Sequence, residues 1–398
     1  MRVMVVFLVV THGRGSMDLY SLRLSHHLNV PTFHTDVYQR ISEQFGKSAF
    51  GTSMFKNTFL VIDFLGKLNG IPGIPHLPNH HLGRFGYLLK KPFIITVHDI
   101  IRYLDIKNKD STPLIHKPTL NDRFWLSLDF KGSTKAAKII VPSNHTKMDL
   151  IKHLNVPEEK IKVIYHGVDE VFKPTYGRRP CLEPYILYVG SEHPRKNIET
   201  VLKAFYLLKK DPRFKHLKFV KVGRIGGREE NFREKTLRLI ESLKLEKDVI
   251  FVEWIPSPKE LASFYTQAEL FVFPSIYEGF GWPPLEAMAC GCPVISSDVT
   301  AMPEILGSAA VYVSPYDVEG WYQAMVEVLT DDGLKKGLSV KGMERAKLFD
   351  WKKTAEETLK VYREVDEAFG EGKEENSKDK VKAFSSTLTG ELIKKQKK

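Results

Sequence analysis

The 398-residue sequence has few cysteines and no long apolar run, and both absences narrow its class. Its three cysteines, Cys181, Cys290 and Cys292, are too few for a disulfide framework, and the Cys-Gly-Cys spacing matches no zinc or redox motif. We therefore expect buried, reduced thiols, as is typical of a cytosolic protein. No run approaches the roughly 18 apolar residues that cross a bilayer, so we expect no transmembrane helix.

Several motifs of catalysis and nucleotide binding are also missing. The chain has no Gly-x-x-x-x-Gly-Lys-Ser/Thr phosphate loop, no Gly-x-Ser-x-Gly nucleophile turn and no Asp-x-Asp metal motif. His76, His80 and His81 lack the regular spacing of zinc ligands, and we interpret their segment as a polar loop. We therefore expect neither a metal ion nor another cofactor.

The charge balance is positive, with 59 Lys and Arg against 48 Asp and Glu, for a net charge of +11. Nucleic acid, an anionic membrane surface and phosphorylated small molecules are all compatible with this excess. The basic residues are not interleaved with aromatic ones, as they are in proteins that bind single-stranded nucleic acid. We therefore expect no nucleic-acid partner.

Apolar, β-rich segments recur along the chain and alternate with helical patterns. Examples are FIITV at 93–97, YILYV at 185–189 and ELFVF at 269–273. Strands that are apolar on both faces are typical of parallel sheets covered by helices, so this alternation predicts an α/β fold.

The composition divides the chain into five segments. Two α/β halves, 1–172 and 184–345, are separated by a Pro-rich linker at 173–183. An amphipathic helix is predicted within 346–368, where apolar residues repeat at helical spacing. The charged, Ser/Thr-rich stretch 369–398 is expected to be disordered.

The segment 274–293, PSIYEGFGWPPLEAMACGCP, concentrates residues suited to binding a ligand. Gly279 and Gly281 follow a predicted strand and precede a predicted helix, whose free backbone N–H groups would favour phosphate. The carboxylates of Glu278 and Glu286 suit sugar hydroxyls, because they accept hydrogen bonds. A nucleotide sugar carries both kinds of group; an ordinary strand-to-helix turn with two surface glutamates is the alternative.

The same segment resembles the signature of family 4 of the retaining glycosyltransferases, which has the GT-B fold and includes sucrose synthases and mannosyltransferases. That signature has two glutamates separated by seven residues, with EGFG at its start and LEAMACG-PVI at its end. Here EGFG occupies 278–281, LEAMACG occupies 285–291 and PVI occupies 293–295. The resemblance implies two facing Rossmann-like domains with parallel sheets, and a C-terminal helix that crosses back to the first domain.

The resemblance also implies roles for charged side chains. Arg195 and Lys196, in a PRKN turn after a predicted strand, would bind the donor diphosphate and stabilise its departure. Glu278 would hold the donor sugar and Glu286 the ribose, while His98 would lie over the sugar near the acceptor. A solvated basic pair and a structural strand-end histidine are the alternative interpretations.

Further donor-binding candidates follow from the resemblance. They are glycines in strand-to-helix turns and one aromatic residue, namely Gly13, Gly15, Gly190, Gly223, Gly279, Phe280 and Gly281. In the family a tandem Gly-Gly faces the diphosphate, but here Arg14 separates Gly13 from Gly15, so a simple turn remains an alternative.

The implied reaction is the transfer of a sugar from a nucleoside diphosphate, with retention of configuration, to a glycan or a lipid-linked glycan. The mannosyltransferase-like form of the signature favours GDP-mannose, and UDP-sugars remain an alternative donor. A cytoplasmic enzyme is expected, and contact with an anionic membrane at the inner face stays open. Two further interpretations stay open as well: a GT-B epimerase or phosphorylase, and a non-enzymatic module that binds nucleic acid.

Overall fold

A computed structural model shows two six-stranded sheets in which every paired strand is parallel to its neighbour. The residues that it describes are 6–12, 15–37, 62–108, 112–226 and 232–369. The α/β fold with two parallel sheets, predicted above, is confirmed. The predictions for Gly13 and for the tail beyond Phe369 lie outside the described residues.

The first sheet contains the strands of the first half of the chain, in the order β2-β1-β3-β4-β5-β6. These strands are β1 (Val6–Thr11), β2 (Thr32–Thr35), β3 (Ile74–Leu77), β4 (Ile94–Thr96), β5 (Lys138–Val141) and β6 (Ile161–Val163). Alternate residues of β1 lie in different apolar clusters: Phe7 and Val9 pack in one, Leu8 and Val10 in another. Both faces of the sheet are therefore covered, which is why its strands are apolar throughout.

The second sheet has the order β12-β11-β10-β7-β8-β9. Its strands are β7 (Tyr185–Val189), β8 (Lys218–Val222), β9 (Val249–Val252), β10 (Leu270–Phe273), β11 (Val294–Ser297) and β12 (Val311–Val313). Its strand β7 also contributes alternate residues to two clusters, Tyr185 and Leu187 to one and Ile186 and Tyr188 to the other.

Helices connect the strands in both halves. Their bounds are α1 (Ser16–His27), α2 (Ile101–Lys107), α3 (Leu120–Ser133), α4 (Asn144–Leu154), α5 (Ile198–Lys209), α6 (Phe232–Ser242), α7 (Pro258–Thr266), α8 (Trp282–Ala289), α9 (Met302–Leu306), α10 (Val318–Thr330), α11 (Asp332–Ala346) and α12 (Trp351–Phe369). Residues 62–70 are also helical, and short 3₁₀ helices include His80–Tyr87 and Pro194–Lys196. Among the described helices, none has the length and apolar character needed to cross a membrane.

The C-terminal helix α12 returns to the first sheet, as predicted. Trp351 and Tyr362 of this helix belong to the same buried cluster as Leu8 of β1 and Tyr20 of α1. The hydroxyl of Tyr362 lies 2.6 Å from His76 Nδ1 on β3, which adds a buried hydrogen bond between the helix and the sheet.

The histidine segment of the first half is not a polar loop, and that prediction was wrong. His76 lies in the buried strand β3 and is 0% exposed, and His80, in the 3₁₀ helix, is 1% exposed. The strands β2 and β3 were also missed, because Gly, Pro and His interrupt the apolar pattern around them. Tertiary packing makes these polar residues part of the core: His76 Nε2 pairs with Thr96 at 2.8 Å.

Candidate active site at the carboxyl ends of the strands

The residues singled out in the second half lie on two neighbouring loops. Strands β7 and β10 are adjacent and parallel, so the loops that follow them leave the same edge of the sheet. One of these loops carries Arg195 and Lys196, and the other carries Glu278. Ligands of open α/β sheets bind at this edge, outside the carboxyl ends of the strands.

The basic pair is fixed by a tight turn. Arg195 and Lys196 lie in the 3₁₀ helix Pro194–Lys196, which ends at Asn197 with φ 51°. The Asn197 amide donates to the carbonyl oxygens of Pro274, at 3.2 Å, and Pro315, at 2.5 Å. These bonds tie the turn to the loops after two other strands, so the position of the basic pair is set by the sheet.

Glu278 lies between the two cations. Its Oε1 accepts hydrogen bonds from Arg195 Nη1 at 2.6 Å and from Lys196 Nζ at 2.7 Å. Burial raises the pKa of Glu278, but the two cations outweigh it and hold the pKa below its ordinary value. Burial lowers the pKa of Lys196 to about 8, against the attraction of Glu278. Three charges are thus held together away from solvent.

The pair retains capacity to bind an anion. Arg195 Nε is buried and has no hydrogen-bond partner among the described residues, although Nη1 of the same side chain is engaged. An unpaired buried donor of a guanidinium is costly unless a ligand accepts from it. Arginine and lysine together can stabilise a diphosphate, the first through a planar fork and the second as a point charge.

The two glycines of the EGFG turn are required for different structural reasons. A Cβ on Gly279 would lie 2.0 Å from the carbonyl oxygen of His98, which belongs to the first half of the chain. Gly281 has φ +97° and precedes α8 as its N-cap. Gly279 therefore permits close approach between the two domains, and Gly281 permits the left-handed turn into the helix.

The other predicted glycines lie at strand ends and at a helix start. Gly190 donates its N–H to Val222 O at the end of β7, and Gly223 has φ +120° after β8. Gly15 is the N-cap of α1, and its N–H donates to Asp18 Oδ2 at 3.2 Å.

Phe280 is buried between the domains. Its ring lies 5.0 Å from the ring of His166 and 5.8 Å from that of Phe349. The ring therefore packs against residues of the junction between the two halves, and its place in a donor site stays a prediction.

His98 has both ring nitrogens engaged. Its Nε2 lies 2.8 Å from the carbonyl oxygen of Pro78, so Nε2 carries the proton, and Nδ1 lies 3.2 Å from His166 Nε2. Burial lowers the pKa of His98 to about 4, which keeps the ring neutral at neutral pH. His98 thus lies beside the EGFG turn, but its nitrogens bind protein groups in this conformation.

Asp99, next to His98, accepts a hydrogen bond from the first residue of α2. Its Oδ1 accepts the N–H of Ile101 at 3.0 Å. Burial raises the pKa of Asp99, while Arg195 acts in the opposite direction. A carboxyl group of the first domain is therefore electrostatically coupled to the basic pair of the second.

Glu286 lies apart from the cluster around Glu278. Its Oε2 accepts a hydrogen bond from Tyr265 at 3.1 Å. Burial raises the pKa of Glu286 to about 7, and Arg23 partly opposes the rise. The structure does not bring Glu286 to the basic pair, so its contact with ribose stays a prediction.

Sequence reasoning missed the charged network beside the Gly223 turn. Glu192 and Lys221 are both buried and lie 2.7 Å apart, and Arg233 donates to Glu192 at 2.8 Å. The position of Lys221 within an apolar strand pattern was the available signal for such a network. This network joins the ends of β7 and β8, at the carboxyl edge of the second sheet.

That no metal ion is required stays a prediction. Within the described ranges, no three His, Cys, Asp or Glu side chains form a group able to hold a metal ion.

Comparison with known families identifies the family of the chain. The model described as "Glycosyltransferase Family 4" matches residues 9–172, and the model described as "Glycosyl transferases group 1" matches residues 178–345. The chain belongs to the family 4 glycosyltransferases. Two curated relatives of this chain are O-antigen chain mannosyltransferases. One is mannosyltransferase B of Escherichia coli, 31% identical over 252 residues, and the other is RfbU of Salmonella typhimurium, 32% identical over 247 residues.

These alignments cover only part of the relatives. They span 60% of this chain and 64% of mannosyltransferase B, and 61% of this chain and 66% of RfbU. The chain therefore matches less than two thirds of the length of these relatives.

Solved structures match nearly the whole chain. Sucrose-phosphate synthase of Thermosynechococcus elongatus superposes with a TM-score of 0.72 and 21% identity, over 91% of this chain and 99% of that chain. HepE of Anabaena, solved with UDP and glucose, gives a TM-score of 0.68 and 16% identity, over 90% and 99%. At these identities the likeness shows the fold alone, and the GT-B fold predicted from the sequence is confirmed.

Proposed function

We propose that this glycosyltransferase transfers mannose from GDP-mannose, with retention of configuration, to a glycan or a lipid-linked glycan. The observation that carries the proposal is the buried pair Arg195–Lys196 with the carboxylate of Glu278 between them. Two cations and one carboxylate at the carboxyl edge of a parallel sheet suit a ligand that has both a diphosphate and sugar hydroxyls.

The donor changes the partners of this cluster when it binds. Its diphosphate accepts hydrogen bonds from Arg195 and Lys196, including the free Arg195 Nε. Glu278 then exchanges the cations for hydroxyls of the sugar. As the bond to the anomeric carbon breaks, negative charge grows on the leaving diphosphate, and the two cations stabilise it more than in the ground state.

No side chain in the cluster is placed as a free nucleophile. In the donor complex proposed here the carboxylate of Glu278 accepts hydrogen bonds from sugar hydroxyls, and the ring of His98 is neutral with both nitrogens engaged. We therefore favour a front-face reaction, in which the departing diphosphate accepts the proton of the acceptor hydroxyl. Isolation of a covalent glycosyl-enzyme would contradict this mechanism.

GDP-mannose is the preferred donor because the two O-antigen relatives are named as mannosyltransferases. The nucleotide is tested by thermal stabilisation with GDP, UDP and ADP, alone and as their sugars, on wild type and Glu286→Ala. At about 100 times Kd, the correct nucleotide adds about 2.7 kcal/mol to the free energy of unfolding. We expect GDP selectively to raise the stability of the wild type but not that of Glu286→Ala. A selective rise with UDP would indicate a UDP-sugar as the donor instead. No rise with any nucleotide would refute the proposal.

Contact with an anionic membrane at the cytoplasmic face is part of the same proposal, because a lipid-linked acceptor lies there. Tyr87 and Leu88 are 47% and 56% exposed, and Lys135 Nζ lies 5.8 Å from the Tyr87 ring. Aromatic and basic side chains together suit the headgroup region. Sedimentation with phosphatidylglycerol vesicles should fall on Lys135→Glu, and equal binding by the variant would contradict this contact.

We also propose that transfer proceeds without a metal ion, with Arg195 and Lys196 neutralising the diphosphate. Turnover should therefore persist in EDTA. If EDTA abolishes turnover and added Mg²⁺ or Mn²⁺ restores it, the proposal of metal-independent transfer is overturned.

A further inference from the structure

The residues on either side of Glu278 are both bound by the first domain, at the N-terminal half of α4. The hydroxyl of Tyr277 donates to Asp149 Oδ2. The carbonyl oxygen of Gly279 accepts a hydrogen bond from Ser143 Oγ at 2.7 Å. Ser143 is the N-cap of α4. The short loop that carries Glu278 is therefore held at both ends by one helix across the interdomain boundary.

These two contacts are buried and one of them is charged. Tyr277 is 6% exposed and Ser143 is 0% exposed. Burial raises the pKa of Asp149, but hydrogen bonds from His145 and Tyr277 outweigh it and hold the pKa below its ordinary value. Asp149 is therefore a carboxylate at neutral pH, and a hydroxyl bound to a desolvated carboxylate is a strong contact.

The loop lies directly against the backbone of the first domain. A Cβ on Gly279 would lie 2.0 Å from His98 O, so the backbones of the loop and of the first domain meet without room for a side chain. The cations that Glu278 contacts belong to the second domain. The place of the Glu278 carboxylate thus depends on both domains at once.

We propose that Ser143 and Asp149 are positioning residues, which seat residues 277–279 when the domains close and so place the carboxylate of Glu278 for the donor sugar. Both side chains act through the loop, Asp149 by binding Tyr277 and Ser143 by binding the carbonyl oxygen of Gly279. The proposal rests on the function proposed above for Glu278. It makes the first domain a determinant of a donor-binding group that the second domain carries.

A second contact at the same boundary provides a matched control. Glu304 of α9 accepts hydrogen bonds from the backbone N–H of Asn144, at 2.8 Å, and from the hydroxyl of Tyr165, at 3.0 Å. Tyr165→Phe removes one phenolic hydroxyl bound to a carboxylate across the boundary, as Tyr277→Phe does, but it leaves residues 277–279 untouched.

The first experiment measures amide hydrogen exchange without any substrate. In the wild type, Ile276 N–H donates to Arg195 O at 2.7 Å and Glu278 N–H donates to Thr300 Oγ1 at 3.2 Å, so the loop amides are protected. We expect the peptide over 276–281 to exchange about tenfold faster in Tyr277→Phe, and Tyr165→Phe to match the wild type. Wild-type exchange in Tyr277→Phe, or equal acceleration in both variants, would overturn the proposal.

The second experiment separates turnover from donor binding. Tyr277→Phe and Asp149→Ala should lower kcat about tenfold while the donor Kd stays within about twofold, since the basic pair is intact. Asp149→Asn keeps an oxygen acceptor for Tyr277 and should restore most of kcat. A lowered affinity with kcat unchanged, or an Asn variant as slow as the Ala variant, would contradict a positioning role.

Failure of the proposed function gives a different result. If the wild type neither binds a nucleotide nor turns over a nucleotide sugar, the function of Glu278 is refuted, whereas the exchange experiment still reports on the seating of the loop. If the wild type turns over donor and the loop variants keep its kcat, the function stands and the positioning role of Ser143 and Asp149 fails.

Discussion

Replacing Glu278 by Gln tests whether the charge cluster is as desolvated as its geometry indicates. The substitution keeps the shape of the side chain and removes its charge. Arg195 and Lys196, whose side chains are 16% and 10% exposed, then lose the carboxylate that hydrogen-bonds both of them. Because burial already lowers the pKa of Lys196 to about 8, loss of the anion should lower it further.

The expected loss of stability follows from the burial of the ion pair rather than from its N–O distance. Removing one partner of a buried ion pair costs about 3–5 kcal/mol, because the remaining charge is left uncompensated. An exposed helical pair contributes only about 0.3–0.5 kcal/mol. Lys203 and Glu199 form such a pair at 2.6 Å, the same N–O distance as Arg195 and Glu278, but their side chains are 42% and 63% exposed. We expect Glu278→Gln to cost about 3 kcal/mol, and Glu199→Gln less than about 0.5 kcal/mol.

Urea denaturation of both variants and the wild type, at pH 8 and at lower pH, measures these losses. The pKa of Glu278 is lower in the folded protein than in the unfolded chain, so its stabilising effect is present above its ordinary pKa and is lost as the pH falls. The difference between wild type and Glu278→Gln should therefore shrink in acid. Equal, small losses in the two variants at pH 8 would refute the desolvated cluster.

Three further predictions concern other parts of the site. Glu286→Gln should stabilise the protein by up to about 3 kcal/mol at pH 8 but not at pH 4, as measured by denaturant titration. The reason is that the pKa of Glu286 in the folded protein, about 7, lies above the ordinary value of 4.5, so its ionisation opposes folding as the pH rises. The same effect at both pH values would contradict this prediction. Gly279→Ala should cost at least about 1–3 kcal/mol and nearly abolish turnover, since its Cβ meets His98 O; wild-type melting and kinetics would show that the domains do not meet there. Lys221→Met should cost about 3–5 kcal/mol in urea denaturation by leaving the buried Glu192 with fewer partners, and a neutral effect would show that Arg233 alone satisfies it.

The fold could be predicted largely from local pattern. Apolar runs such as 185–189 and 269–273 predict buried strands, because residues on both faces of a covered parallel sheet must be apolar. The strands β2 and β3 could not be predicted in the same way. His76 in β3 is compatible with the core only because Thr96 and Tyr362 hydrogen-bond its ring, and those residues are distant in sequence.

The candidate site was only partly accessible to the same reasoning. EGFG and PRKN were predicted to be binding loops through their resemblance to family 4, whereas local glycine and helix-start chemistry also allows ordinary turns. That Glu278 lies between Arg195 and Lys196 follows instead from the pairing of β10 with β7, which joins residues 82 and 83 positions apart. The resemblance assigned Glu278 to the donor sugar and Glu286 to the ribose, and the structure gives the two carboxyl groups different protein partners.

By itself, the sequence determined the alternation of strands and helices, the glycine turns and the presence of residue types suited to phosphate and sugar, because these depend on side-chain periodicity and local backbone conformation. The tertiary structure alone decided which charges meet. Asp149 and Ser143 of the first domain reach the loop of Glu278 in the second because α4 faces that loop, and no local pattern encodes a contact across more than 120 residues. The ionisation states of Glu278, Lys196 and Glu286 were likewise set by burial and by neighbours that only the folded chain brings together.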